Sequence, residues 1–303
     1  MSYSFGAVIE KTRRRLLSGV REQVVTLTQP YYAGDNTMAL AGSYFNAIQP
    51  GVILSVDLEQ FYVLSSTTAG SVVVRGGYEG STPADHASST MCFINDRFPR
   101  FDIGVAVNDD LRDLSAPTNG LGQIDYIDQT FNPTYMGYDL GSTFDSVSSR
   151  VLEVTYKIAP PVRSYPLIRR GDYRVLRNQN DPSIFPSGNG LIIYQSAYPG
   201  LPIHIQFLSP FNQLVNLTDD LTTVAGLPSS MYDLPDLGAA IRLMDPREIK
   251  RNFIESQPDP RKAPEVPPAA TANSQVKLEK QRQARIDAEC ERIVRAYPNS
   301  EAW

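Results

Sequence analysis

The chain has little of the residue chemistry on which many enzymes depend. Its 303 residues include two histidines, two cysteines and one tryptophan. Any catalytic scheme built on imidazole must therefore use His86 or His204. Cys92 and Cys290 lie far apart and have no metal-ligand partners at useful spacing, so a zinc site and a disulfide scaffold are both disfavoured. This cysteine usage fits a reducing cytoplasm best.

Long apolar runs are also missing. No stretch approaches the roughly 20 apolar residues that a membrane helix needs, and three consecutive arginines at 13–15 precede any long apolar run. We therefore expect neither a secretory signal nor membrane insertion. The net charge of −5 and the charged fraction of 20% are ordinary, so the totals do not suggest a protein that coats nucleic acid.

Charge is distributed unevenly along the chain. Residues 79–145 contain eleven acidic residues and three arginines, whereas residues 10–22 contain five basic and two acidic residues. Such asymmetry could guide docking between subunits, or it could be solvated surface. The basic residues are candidates for facing phosphates if the protein lined a DNA passage. They are Lys11, Arg13, Arg14, Arg15 and Arg21.

Hydrophobic periodicity predicts an α+β fold with two β-rich, sandwich-like units and an amphipathic helix between them. The first unit, residues 1–115, begins with a short basic helix and includes a half-buried strand at 52–59 whose polar residues face outward. Apolar residues between Ile103 and Leu114 recur at spacings of four, four and three, which predicts the amphipathic helix.

The second β-rich unit is predicted at residues 116–210, and its clearest strand alternates over 151–158. A helical region follows at 211–255, with a helix start at Asp245-Pro246. Residues 256–273 contain five prolines and predict an extended linker.

The final segment, residues 274–303, is predicted to be an amphipathic helical arm. One face of the helix carries apolar residues at spacings of four, three and four, namely Ile286, Cys290, Ile293 and Tyr297. A tethered amphipathic helix needs a surface that buries this face. The same chain could provide the surface, and so could a neighbouring subunit reached across the linker. We predict that these four residues bind a partner.

A glycine-rich segment surrounds His86. It has neither the Gly-Lys-Ser/Thr ending nor the G-x-G-x-x-G opening of a phosphate-binding loop. We predict a structural turn that requires positive φ, in which Ser81, Thr82 and Asp85 bond to local amides. Its residues are Gly76, Gly77, Gly80, Ser81 and His86.

Several other groups permit an enzymatic alternative. Asp57 and Glu59 could serve as the paired carboxylates of a polysaccharide hydrolase, and Asp85 with His86 could form an acid-base group. The acidic pairs at 109–110 and 219–220 are interpreted as solvated helical acids, and His204 as a residue on the polar face of a strand. We predict no catalytic residue, no cofactor and no metal.

The segment from Phe61 to Leu114 resembles virion proteins of tailed double-stranded DNA bacteriophages. These proteins share an arginine-glycine, glycine-serine/threonine, alanine-histidine pattern, which here reads Val73-Val74-Arg75-Gly76-Gly77-Tyr78-Glu79-Gly80-Ser81-Thr82 and Ala84-Asp85-His86-Ala87. After the histidine, Ala87-Ser88-Ser89 replaces the small residue and glycine that are usual in the pattern. The outline of the remainder is similar to neck proteins that join portal to tail.

The resemblance implies a non-enzymatic head-to-tail connector or adaptor. It would form a homo-oligomeric ring of about twelve copies under the portal protein, with DNA passing through. Its partners would be the portal protein and a tail or stopper protein, with possible non-specific DNA contact and no membrane. It would assemble in the bacterial host cytoplasm and lie in the neck of the virion. A structural protein of the tail tip or baseplate, or the hydrolase above, are the alternatives.

Overall fold

The structure is a computed structural model. It describes residues 3–17, 22–68, 70–134, 136–157, 166–179, 185–194, 198–254 and 270–300. The side chains of residues 67–68, 245–254 and 270–273 are left out of the description. The chain contains helices and β-rich units together, so the predicted mixed α+β class is confirmed.

The chain divides into two compact units, each built from three segments. The barrel unit comprises residues 1–110, 214–221 and 232–280, and the two-sheet unit comprises residues 111–213, 222–231 and 281–303. The first boundary is close to the one predicted at 115. The region predicted as a separate helical segment, 211–255, is instead shared between the two units.

In the described part of the chain, six strands and three α-helices lie wholly or mostly in the barrel unit. They are α1 Phe5–Leu17, β1 Gln23–Leu27, β2 Thr37–Ala41, β3 Ile53–Val56, β4 Glu59–Thr68, β5 Ser71–Arg75, β6 Met91–Ile94, α2 Arg100–Leu114 and α3 Leu234–Ile254. The last residues of α2, from 111 onward, belong to the two-sheet unit. The strands form a closed antiparallel barrel in the order β1-β2-β5-β4-β3-β6. The sandwich-like prediction for this unit is therefore wrong, because β1 pairs with both β2 and β6 and leaves no open edge.

Alternating apolar residues fill the barrel. Val72 and Val74 on β5 are fully buried, as are Phe61 and Val63 on the neighbouring β4. Because successive side chains of a strand point to opposite faces, this alternation directs one face of each strand into the interior. The interior residues form one continuous hydrophobic core.

The predicted strand at 52–59 is two strands. β3 ends at Val56, β4 begins at Glu59, and the register pairs these two residues across a two-residue turn in which Asp57 has a φ of 51°. Ser55 and Glu59 were predicted to face outward, but both are buried. Their burial is possible because each has polar partners; the Ser55 hydroxyl donates to the Asp96 carboxylate at 2.7 Å.

Helix formation between residues 211 and 255 differs from the prediction. Residues 212–224 form turns, because the Asp219 carboxylate accepts the N–H groups of Val215 and Asn216, both at 2.8 Å, and so competes with helical bonding. α3 runs without a break through Pro246, so the helix start predicted at Asp245-Pro246 is also wrong. A proline removes one helical hydrogen bond, but the helix continues past it.

Among its described residues, the two-sheet unit contains six strands and most of the last helix. They are β7 Gln123–Gln129, β8 Tyr138–Asp139, β9 Arg150–Tyr156, β10 Tyr173–Leu176, β11 Gly190–Ile193, β12 Ile203–Ser209 and α4 Ala270–Ala296, which belongs to this unit from Gln281 onward. The sheet orders are β10-β11-β8 and β7-β12-β9. Side chains from both sheets, such as Leu191 and Phe207, share one core, as in a sandwich.

Within the described ranges, no helix combines the length and apolar character needed to cross a membrane.

Candidate functional site

The segment that carries the phage resemblance is held by one buried carboxylate. Glu59, at the start of β4, is 1% exposed. Its Oε1 accepts the Gly77 N–H at 3.0 Å, and its Oε2 accepts the Ala84 N–H at 2.9 Å. The same Oε2 lies 3.0 Å from Nε2 of His86. Glu59 therefore joins both ends of the loop from residue 76 to residue 86, which we call the clamped loop.

His86 lies between two carboxylates. Its Nδ1 is 3.2 Å from Oδ2 of Asp57, opposite the contact with Glu59. Only the protonated imidazolium can donate from both ring nitrogens. Burial pushes the pKa of His86 down, but the hydrogen bonds and charges of Asp57 and Glu59 outweigh it and raise this pKa to about 9. The group is therefore a cation at neutral pH.

Aromatic rings and backbone bonds complete the surroundings of His86. Its ring meets the edge of Phe61 at a centroid distance of 5.8 Å. Its backbone exchanges two hydrogen bonds with Tyr31, at 2.8 and 2.9 Å. Burial, with the nearby Glu59 charge, raises the pKa of Tyr31 to about 12. These contacts fix the buried imidazole within the barrel unit.

The clamped loop has the left-handed backbone that its glycines suggest. Gly77 and Gly80 have φ values of 64° and 84°, and Glu79 between them has 52°. Gly76 is needed for a different reason, because a Cβ at this position would lie 2.5 Å from Oε1 of Glu59. The carboxylate can approach the loop closely only because this residue has no side chain.

Hydrogen bonds of the clamped loop reach farther than predicted. The Ser81 hydroxyl accepts the Gln60 N–H and donates to the Tyr78 carbonyl, both at 2.9 Å. Asp85 accepts the N–H of Ala33 at 2.8 Å. Gln60 and Ala33 are 21 and 52 residues away, so the prediction of purely local bonds is wrong. The loop is tied to the rest of the barrel unit.

This arrangement bears on the hydrolase alternative. A glycosidase needs one carboxylic acid that reaches the substrate and a second carboxylate across the scissile bond. Both oxygens of Glu59 are instead bonded to loop amides beneath the surface, and the imidazole of His86 lies between Glu59 and Asp57. Glu59 and His86 are therefore arranged to support the clamped loop.

The basic helix α1 presents few free charges. Arg13 was predicted to face DNA, but it is 3% exposed, lies 3.7 Å above the ring of Phe93 and is paired with Glu22 and Asp96. That prediction is wrong, because the guanidinium is enclosed by acids from elsewhere in the chain. Burial raises the pKa of Glu22 and of Asp96 despite this cation.

Lys11 and Arg15 are paired with a single acid on another helix. They lie 3.1 and 2.9 Å from the two carboxylate oxygens of Asp236, whose side chain is fully buried in α3. Their charges therefore join α1 to α3, while both side chains stay partly exposed, so that their facing DNA stays a prediction. Arg14 is exposed, and Arg21 lies outside the described residues.

The apolar face of the last helix is buried by the chain itself. Ile286 and Ile293 are 1% and 3% exposed. The flanking Arg282 lies 2.7 Å from the carboxylate of Asp113, within the two-sheet unit. Two surfaces were considered for burying this face, one on the same chain and one on a neighbouring subunit. In the structure the same chain buries it, so these isoleucines are not free to bind a partner as predicted.

The two other members of this predicted face are less deeply buried. The Cys290 thiol donates to the Asn119 carbonyl at 2.9 Å, and Tyr297 is half-buried. The predicted linker lies outside the described residues except at 270–273, which already belong to α4.

The remaining candidate acids and His204 have structural partners. Asp110 was interpreted as solvated but is 1% exposed, and a Cβ on Gly238 would clash with its carboxylate. The close approach of α2 and α3 therefore depends on that glycine. On the two-sheet unit, His204 Nδ1 lies 2.8 Å from Asp128, which Lys157 also contacts.

No group of three or more His, Cys, Asp or Glu side chains in the described part of the chain is arranged to hold a metal ion. Comparison with protein-family models and with curated proteins gave no match.

Proposed function

We propose that the protein is a structural subunit of a tailed bacteriophage particle, a ring-forming connector that joins the portal to the tail around the DNA passage. The observation that carries the proposal is the clamp beneath residues 76–86. This segment bears the phage-like pattern, and its His86 and the buried Glu59 of β4 are bonded within the chain.

A rigid exposed loop suits a docking role. Its outer residues are exposed, including Glu79, Thr82 and Asp85, while its inner side is fixed by Glu59 and His86. A partner that binds a loop already held in one conformation loses little entropy in ordering it. The buried Glu59 carboxylate and the His86 imidazolium therefore have a role in holding the loop for a partner, and this role requires no catalysis.

The partners under this proposal are further copies of the chain, the portal protein and a tail or stopper protein. Contact with DNA would depend on few residues, because the Asp236 carboxylate pairs with both Lys11 and Arg15 and offsets one of their two positive charges. We expect DNA to be enclosed by the ring with weak, salt-sensitive contact at most.

The test is to express the chain together with the portal protein of the phage that encodes it. We expect the two proteins to copurify, and electron microscopy of the complex should show density for this chain beneath the portal. The same chain should be found in the neck of assembled particles. Failure to bind the portal, with the chain located at the tail tip instead, would contradict the connector proposal and favour the baseplate alternative.

A further inference from the structure

A chain of alternating charges runs from the clamped loop to the first helix within the barrel unit. His86 Nδ1 lies 3.2 Å from Oδ2 of Asp57, and Oδ1 of the same carboxylate lies 3.5 Å from the guanidinium of Arg100, at the start of α2. That guanidinium lies 2.7 Å from Oε1 of Glu10 in α1, and its Nε donates to the same oxygen at 2.8 Å. Among the described residues, no hydrogen bond or ion pair joins the clamped loop to α1 directly. The chain of side chains therefore connects two elements that do not bond to each other.

Apolar packing follows the same route as the charges. Asp57 and Leu58 form the two-residue turn between β3 and β4. A Cβ added to Gly104 of α2 would meet the Leu58 side chain at 3.6 Å. It would also meet Phe5 and Ile9 of α1, at 3.1 and 3.7 Å. One turn therefore carries an acid toward the clamped loop and an apolar side chain toward α1, and because protein interiors are closely packed, a shift of the turn is felt by both.

Arg100 is the central member of the chain of charges and its most sheltered one after His86. Its side chain is 13% exposed, against 35% for Asp57 and 36% for Glu10. Its guanidinium also lies 5.2 Å from the centre of the Phe93 ring. Partly buried charges are screened by water and salt less than exposed ones. The loss of either acid leaves this sheltered cation with one carboxylate fewer, so a change at one end of the chain alters the contacts at the other.

We propose that Asp57, Arg100 and Glu10 couple the clamped loop to the first helix, so that fixing either element stabilises the other. A partner that docks on the clamped loop then also holds α1, and a contact made by α1 also holds the loop, because coupling between two sites acts equally in both directions. The coupling rests on the proposed function only in that the clamped loop is taken as a docking surface. It belongs to the free chain and is measured there.

Hydrogen exchange of the free chain measures the coupling from the side of the helix. Glu10→Gln removes one charge of α1 that pairs with α2. We expect the Gly77 and Ala84 amides, which bond to the carboxylate beneath the loop, to exchange about three to ten times faster than in wild type. Amides of β4 and β5 should stay protected. Lys11→Gln is the matched control, because it removes a charge that pairs the same helix with α3, and it should leave both loop amides unchanged.

Asp57→Asn measures the coupling from the side of the loop. Asparagine tolerates the left-handed backbone at this position, where φ is 51°, so the turn is kept while the charge is lost. Amides of α1 should then exchange about three to ten times faster than in wild type. Glu79→Gln is the control, since it removes an exposed charge of the clamped loop from another left-handed position. It should leave the exchange of α1 unchanged.

The double variant locates the coupling. Once Asp57→Asn has broken the chain of charges, the addition of Glu10→Gln should change the exchange of the loop amides by less than about twofold. Independent effects of the two changes, equal effects of Glu10→Gln and Lys11→Gln, or equal acceleration throughout the barrel would each overturn the coupling. Portal binding by the wild-type chain is measured separately. A chain that shows the coupling without binding the portal loses only the proposed function, and one that binds the portal without the coupling loses only the coupling.

Discussion

Removing the imidazolium from beneath the clamped loop should destabilise the barrel unit strongly. His86→Ala leaves Glu59 buried without its cation, and breaking a buried ion pair in this way costs about 3–5 kcal/mol. A second route gives a similar magnitude. The rise in the pKa of His86 from 6.5 to about 9 corresponds to about 3 kcal/mol in the free energy of unfolding.

The pH dependence of this loss has a definite sign. The pKa of His86 is higher in the folded chain than in the unfolded chain, so the folded chain binds the proton more tightly. The contribution is therefore complete below about pH 6.5 and is lost as the pH rises through about 9. The difference in stability between wild type and His86→Ala should shrink over that interval.

Hydrogen exchange is the suitable assay, because it reports the opening of individual segments. The Gly77 and Ala84 amides, which bond to Glu59, should exchange much faster in His86→Ala than in wild type at neutral pH. His204→Ala is the matched control, since His204 forms a partly exposed pair worth about 1 kcal/mol or less. Equal effects of the two variants, or an effect of His86→Ala that is the same near pH 6 and above pH 9, would refute the reasoning.

Three further changes test other parts of the structure, each by chemical denaturation. Gly76→Ala should cost about 1–3 kcal/mol, because its Cβ would press on a buried carboxylate oxygen 2.5 Å away; an unchanged stability would contradict the close approach. Ile293→Ala should destabilise the two-sheet unit by about 2–5 kcal/mol, while the exposed neighbour Val294→Ala should have little effect. Arg13→Ala should cost about 3–5 kcal/mol at neutral pH. The cost should be less in mild acid, where Glu22 and Asp96, two of its three carboxylate partners, have raised pKa values and take up protons. Arg14→Ala should change stability by less than about 0.5 kcal/mol.

Periodicity predicted several elements well. His204, predicted on the polar face of a strand, lies in β12, and the apolar spacing from Ile103 to Leu114 lies in α2. These elements follow from local sequence because each buries one face. The closed barrel could not be predicted in this way, because the pairing of β1 with β6 joins residues about seventy positions apart and leaves no local signal.

Polar residues caused most of the errors at the candidate site. Glu59 was assigned to the outer face because it alternates with the apolar residues of the strand predicted at 52–59. Its burial depends on amides of Gly77 and Ala84, which only the folded chain brings together. Lys11 and Arg15 were interpreted as free charges for the same reason, since Asp236 lies more than two hundred residues away.

The connection between the first helix and α3 has a consequence for synthesis on the ribosome. Lys11 emerges early, but its partner Asp236 follows 225 residues later. The barrel strands are all translated by residue 94, so they can close while the N-terminal helix still lacks its acid. A nascent chain released before α3 would carry Lys11 and Arg15 without their acid, and completion of translation supplies the one carboxylate that offsets part of this positive charge.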